Sequence, residues 1–251
     1  MITVASYNMR KAIGTDRLRR PERTLDVLCE IDADVVALQE ADRRFGSRAS
    51  AIPLEMLEAR SPYKAVPFGK RPDSIGWHGN ALLVKKEIEV VDIQGLDLPT
   101  LEPRGAILAD LRIDGANVRV VGMHLDLSGL WRRRQARAIL QVLADRAGNP
   151  PTVLMGDLNE WSQHSGCLLE FGHDHRFAHT GRSFHARRPV ASLDRIMVSR
   201  DVNVIASGAH HSLKARRASD HLPIWARVEM AAAPVASVSE RAVAAASRAG
   251  A

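Results

Sequence analysis

The stretch Thr152-Val-Leu-Met-Gly-Asp157-Leu-Asn159 passes directly from an apolar run into an acid and an amide two residues apart. The run has the composition of a strand covered on both faces. Alternate residues of a strand share a face, so Asp157 and Asn159 can address one ligand together. Gly156 would let a substrate approach the backbone. A carboxylate can hold a cation or a water, and an amide can orient a phosphate oxygen. An Asx turn that merely closes the strand is the competing reading.

The same form recurs outward along the chain. Ser6-Tyr-Asn8 ends a predicted strand over 2–9, Leu38-Gln-Glu40 ends one over 35–40, and Met123-His124-Leu-Asp126 ends one over 118–126. Asp194-Arg195 opens a run over 193–198, and Ser219-Asp220-His221 precedes one over 222–228. Further strands are predicted over 80–84, 90–96, 106–113 and 202–206. Asp114-Gly115-Ala116 joins two of them as a hairpin. Pro21 opens a predicted helix over 23–31, with Leu25, Leu28 and Cys29 on one face. Others span 53–60 and 162–171. The longest follows Ser128 as N-cap to 146, with Ala136, Ile139, Leu140 and Leu143 as its apolar stripe. A hairpin together with strand–helix–strand stretches implies mixed sheets with helices outside.

Each polar end has a chemical reading and a plain one. Glu40 abuts a buried run, where an unpaired acid is costly, so it ligates a cation or pairs with Arg43 or Arg44. Asn8 contributes to a site or simply caps its strand. His124 is a phosphate-binding, leaving-group-assisting imidazolium or a satisfied core histidine. His221 is suited to take a proton from water, with Asp194 holding its tautomer, although Asp-His alone is a common surface dipeptide. His173-Asp-His175 with His179 and His185 matches no zinc spacing and reads as polar loop.

Of 251 residues, 45% are apolar, 25% charged and only 4% aromatic, so aliphatic side chains must fill the core of a globular domain. Net charge is +6, with arginines clustered at Arg19-Arg20, Arg43-Arg44, Arg132-Arg133-Arg134, Arg187-Arg188 and Arg216-Arg217. A basic surface attracts anions, and an arginine-rich solvated surface is the plain alternative. Arg132–134 would open the longest helix against its macrodipole, a cost that a bound anion or solvent would offset. Two distant cysteines, Cys29 and Cys167, fit buried thiols in a reducing compartment. Neither a leader pattern nor a membrane-spanning run is present, which reads as a cytoplasmic protein.

In this order, Gly156-Asp157-Leu-Asn159, Leu193-Asp194-Arg195-Ile and Ser219-Asp220-His221-Leu-Pro resemble the endonuclease/exonuclease/phosphatase superfamily. That group includes deoxyribonuclease I, exonuclease III-type nucleases, sphingomyelinases and inositol polyphosphate phosphatases. His78-Gly-Asn80-Ala-Leu and Arg104-Gly-Ala106 are similar to phrases of its small bacterial metal-dependent hydrolases. The resemblance runs from about Ile2 to Val228. It implies an α/β fold, a four-layered α/β/β/α sandwich of two packed mixed β-sheets. The catalytic domain would occupy 1–230, leaving 231–251 as a flexible Ala/Ser-rich tail. It also implies phosphoester cleavage with Mg²⁺, or Mn²⁺ as substitute. By position, Glu40 becomes the principal metal ligand, supported by Asn8 and Asp220. Asp157 and Asn159 orient the attacking water and the phosphate, and His221, steadied by Asp194, is the base, a role that family accounts also give to Asp157. His124 contacts the phosphate, and Asn8, Asn80 and Arg104 face the substrate. Asn80 as a turn residue and Arg104 paired with Glu102 are the plain alternatives. Arg10 and His124 stand where exonuclease III-like members carry an acid and a tyrosine, which counts against an abasic-site endonuclease. Asp126 is the expected substitute for the acid that backs this histidine in deoxyribonuclease I.

The leading expectation is therefore a Mg²⁺-dependent phosphodiesterase acting as a monomer on nucleic acid, a phospholipid headgroup or a small phosphometabolite. A nuclease is the alternative, favoured by basic charge and opposed by the scarcity of aromatics for base stacking. A non-catalytic phosphate-binding scaffold is the third, opposed by the cost of burying unpaired acids at strand ends.

Overall fold

The continuous apolar runs form strands whose alternate side chains enter two different layers. In a computed structural model describing residues 1–43, 49–68 and 74–230, Val35 and Ala37 join one core cluster while Val36 and Leu38 join another. Likewise Val153 and Met155 face one way and Leu154 the other. Both faces of each strand are covered, which is why strict polar alternation is missing from the sequence.

The strands are β1 (Ile2–Asn8), β2 (Val35–Gln39), β3 (Tyr63–Ala65), β4 (Ala81–Lys85), β5 (Glu89–Asp97), β6 (Gly105–Ile113), β7 (Ala116–His124), β8 (Thr152–Asp157), β9 (His175–Phe177), β10 (Asp194–Ser199), β11 (Val202–Ala209) and β12 (Ile224–Met230). They form two six-stranded sheets, ordered β11-β12-β1-β2-β4-β3 and β5-β6-β7-β8-β10-β9. Each sheet has a parallel pair among antiparallel ones, β1 with β2 and β7 with β8. The helices are α1 (Pro21–Ile31), α2 (Leu54–Arg60), α3 (Gly129–Asp145), α4 (Cys167–Gly172) and α5 (Ala215–Ala218). Leu25, Leu28 and Leu57 pack helices α1 and α2 on the outer side of the first sheet. Ala136, Ile139 and Phe171 do the same for α3 and α4 on the second. The expected four-layered sandwich of two mixed sheets is the observed one.

Several local expectations need correction. Cys29 is exposed, so only Cys167 is a buried thiol. The fourth helix starts at Cys167 rather than 162, because Gly166 has φ +67°, outside helical geometry. β3 and β9 are three-residue edge strands, too short to carry a periodic signal. Ser128 precedes α3 as expected but makes no side-chain cap. Gly156 serves the neighbouring strand rather than a substrate, since a Cβ there would lie 1.9 Å from the Met123 carbonyl oxygen. The segment 231–251 and Arg44 lie outside the described residues.

Asp114 and Gly115 close the β6–β7 hairpin with φ of 50° and 78°, the primed turn that a two-residue loop requires. Gly156→Ala should destabilise the fold by about 1–3 kcal/mol through the clash with β7. Urea denaturation would show this as a lowered midpoint, and an unchanged midpoint would refute the packing role.

Candidate active site

Strand parity carries the inner-face rows out of the core into polar residues at one end of the sandwich. Val4, Ser6 and Asn8 alternate along β1. Val153, Met155 and Asp157 alternate along β8, and Ile196 and Asp194 share their face of β10. Register then aligns the polar ends. Asp157 pairs with His124 of β7 on one side and with Asp194 of β10 on the other. In the opposite sheet Asn8 pairs with Gln39.

Asp157, only 1% exposed, is the hub. One carboxylate oxygen accepts a hydrogen bond from Asn8 Nδ2 of the facing sheet at 2.9 Å. The other accepts from the Asn159 backbone amide at 2.9 Å. The first also lies 3.6 Å from His124 Nε2 and 3.7 Å from His221 Nε2. His221 Nδ1 is 2.9 Å from Asp194 Oδ2, which also accepts the Ser183 hydroxyl. Asn159 donates its side-chain amide to the Leu125 carbonyl at 2.9 Å, tying the ends of β7 and β8 together.

Glu40 and Asp220 flank the segment that follows β1. The Lys11 amide donates to the Glu40 carbonyl at 3.0 Å, and Ser219 Oγ donates to the Asn8 carbonyl at 2.7 Å. Each acid faces a cation: Asp220 lies 3.2 Å from Arg10, and Glu40 pairs with Lys11. Arg10, Lys11 and Ala12 have φ of 47°, 56° and 60°, with Glu40 at 52° and Asn159 at 50°. Such left-handed non-glycine residues are costly and cluster at functional sites.

A cavity of about 120 Å³ opens beside these groups, lined among others by Lys11, Glu40, Arg43, His78, Arg104 and His124. Arg104 Nη1 lies 2.8 Å and 2.7 Å from the two His124 ring nitrogens, so the guanidinium rests over the ring rather than in line with one nitrogen. Its Nη2 lies 3.6 Å from Glu102.

The family model that matches the chain, over residues 5–221, is that of the Endonuclease/Exonuclease/phosphatase family. The chain belongs to this family. Its members are phosphoester hydrolases that generally depend on divalent metals, and this chain is accordingly a phosphoester hydrolase. No curated protein matches by sequence. Among solved structures, an endonuclease/exonuclease/phosphatase from Bacteroides vulgatus is 19% identical, with a TM-score of 0.73, covering 91% of this chain and 98% of that one. The mannosyl-6-phosphatase Bt3783 of Bacteroides thetaiotaomicron is 19% identical, with a TM-score of 0.71 and coverages of 92% and 100%. TDP2 of D. rerio complexed with a single-strand DNA product is 16% identical, with a TM-score of 0.70 and coverages of 91% and 99%.

Within this family member, Asn8, His124, Asp157, Asn159, Asp194 and His221 form one linked cluster, with Glu40 and Asp220 beside Asn8. Asn80 is buried, its amide spent on the Gly105 carbonyl at 2.9 Å, the structural role of a turn residue. Asp126 does not back His124: its carboxylate accepts from the Ser128 amide and the Thr100 hydroxyl, and Asp157 faces the imidazole instead. Nor is the start of α3 an anion site. Arg132 pairs with Glu160 at 3.2 Å, Arg133 with Glu170 at 3.1 Å, and Arg134 stacks on Trp131. Lys11 as a partner of Glu40 had no sequence signal, because the left-handed turn that presents it is invisible in residue types. Ser183 was missed for the same kind of reason, lying eleven residues before the acid it serves.

Burial opposes charge on His124, and Arg104 and His221 add repulsion, outweighing Asp157 and lowering its pKa to about 3. These surroundings favour the neutral ring of His124 over the imidazolium. Burial would likewise lower His221, but the charges of Asp194 and Asp157 and the Asp194 hydrogen bond together outweigh it and raise it to about 10. The folded chain thus holds this proton more tightly than the unfolded one. That stabilisation is complete below the unfolded pKa of about 6.5 and disappears as pH rises through about 10. In metal-free protein, the urea midpoint should fall between these limits, and His221→Gln should flatten the fall. Equal slopes in both proteins would refute the shift.

Proposed function

We propose that this protein is a Mg²⁺-dependent phosphodiesterase that hydrolyses its substrate with a water held between His221 and Asp157. What supports the reading is that His221 is bonded through Nδ1 to Asp194 while its Nε2 lies 3.7 Å from Asp157. Asp194 holds the orientation of the ring, so that once His221 has lost its own proton its Nε2 faces the water it is to deprotonate.

Two donor sets could hold a cation. Asp157, Asp194 and His221 bring ligand atoms within 4.8 Å of one another. Ser183 and His221 both bond to Asp194 Oδ2 in that set, and its imidazole suits Mg²⁺ poorly. Glu40, Asp220 and the Asn8 side-chain oxygen Oδ1 offer oxygen donors alone, the chemistry Mg²⁺ prefers and Mn²⁺ tolerates. Both of these acids already attract cations, Lys11 and Arg10, which fits a place that receives positive charge. Once bound, the ion supplies Lewis-acid neutralisation of phosphate charge. Asp194 and Asp157 raise His221 more than Asp220 does, so a cation at Asp220 relieves that shift only in small part.

Arg104 and Lys11 line the cavity and can grip phosphate oxygens, Arg104 through its planar fork. Neutral His124 can donate a ring N–H to a phosphate oxygen or the leaving oxygen. Asn159 positions Asp157 through its backbone amide while its side-chain amide is bonded to the Leu125 carbonyl. With Mg²⁺ present, Asp157→Ala, His221→Ala and Glu40→Gln should each cut hydrolysis of bis-p-nitrophenyl phosphate by about 100-fold or more while far-UV circular dichroism stays native. Full activity in all three would end the proposal.

A nuclease is the second reading, favoured by one specific feature. Trp161, 60% exposed, lies edge-on to Phe184 at 6.0 Å, and Phe184 lies 4.9 Å from His221. An exposed indole one ring away from the proposed base is suited to stack a nucleobase. Incubation with plasmid, single-stranded DNA and RNA should give cleavage that weakens steeply with salt, and that Trp161→Ala slows. Inertness towards all three would direct attention to phospholipid headgroups and phosphometabolites.

A further inference from the structure

The second sheet carries another cavity, of about 690 Å³, on its helix-covered outer side. Its wall combines Leu168 and Leu169 of α4 with Phe177 of β9, and the hydroxyl residues Thr180 and Ser192 with Arg195. Asp194 points inward to His221, so by strand parity its neighbour Arg195 emerges on the opposite face.

Arg195 is 6% exposed. Its one hydrogen bond runs from Nη1 to the Asp194 carbonyl at 3.2 Å, and Nη2 is buried without a partner. No carboxylate of the described residues lies within ion-pairing distance of it. The other buried guanidiniums of this face have acids of their own, Arg132 with Glu160 and Arg119 with Asp110. Asp194, Glu160 and Asp157 act on Arg195 only from beyond ion-pairing distance, and this unpaired guanidinium lines the cavity. An unpaired buried charge is costly, and an anion brought to it would offset the cost.

We propose that this cavity is a binding site, separate from the catalytic cluster, for a small anion with an apolar body: a carboxylate or phosphate group directed at Arg195, with its hydrocarbon part against Leu168, Leu169 and Phe177. The pairing of a buried guanidinium with hydroxyls at one part of the wall and aliphatic and aromatic carbon at another matches that amphiphilic shape.

Two fluorescent probes of similar apolar body test this, anilinonaphthalene sulfonate and its uncharged parent phenylnaphthylamine, titrated into the full chain. The charged probe should bind more tightly. Arg195→Met should weaken it about ten-fold or more while leaving the neutral probe unchanged. Leu169→Glu, at an exposed position of the wall, should weaken both, and it keeps the test decisive if Arg195→Met does not fold. His221→Ala should alter neither. Displacement by octyl phosphate alone identifies a phosphate ligand, and displacement by octanoate alone a carboxylate. The proposal is overturned if Arg195→Met binds the charged probe like the wild type, if His221→Ala abolishes binding, or if neither octyl compound displaces the probe.

Discussion

A carboxylate almost wholly removed from water has to be satisfied by its surroundings, and at Asp157 both sheets do so together. Asn8 donates from one sheet, the Asn159 amide closes the turn on the other, and two imidazoles stand within 4 Å. The apolar layer between the sheets ends where this arrangement begins. Since Asn8 and Asp157 lie 149 residues apart, their hydrogen bond exists only when the two sheets are stacked in one relative position. Sheet packing and site assembly are thus one event, and a slip of one residue in β1 or β8 would turn Asn8 or Asp157 to the wrong face.

Around this centre the backbone adopts conformations that free chains avoid. Three successive left-handed residues after β1, another at Glu40 and another at Asn159 are held by mutual main-chain bonds, such as that from the Lys11 amide to the Glu40 carbonyl. Their effect is to set consecutive cations, Arg10 and Lys11, against two different acids. The end of the sandwich therefore collects acids and cations in alternation, with a proton favoured on His221 and disfavoured on His124 within the same few ångströms. The difference between the two imidazoles comes from their neighbours: Asp194 bonds one, and Arg104 covers the other.

Much of this was readable beforehand where chemistry and periodicity coincide. The run ending in Asp157, the pairing of His221 with Asp194, and Ala136 and Ile139 as the buried stripe of α3 were legible, whereas Asn159 lies past the strand in the Asx turn that was the competing reading. What escaped depends on geometry that residue types do not encode. Gly156 was assigned to a substrate when it makes room for a carbonyl of β7. Asp126 sits two residues from His124 in the chain, yet its carboxylate turns to the start of α3. Arg132, expected in a charged surface cluster, is a buried partner of Glu160.

The amino-acid sequence by itself determined the element types, the end of each strand at which polar groups would collect, and membership in a family of phosphoester hydrolases. These depend on local patterning, which short-range sterics and burial translate directly into strands and helices. The tertiary structure alone decided which polar groups meet, which histidine favours a proton, and that Arg195 lines a cavity with no ion-pair partner among the described residues. Those outcomes depend on distances between residues far apart in the chain, and on a dielectric environment that comes into being only when two sheets and their helices close over one another.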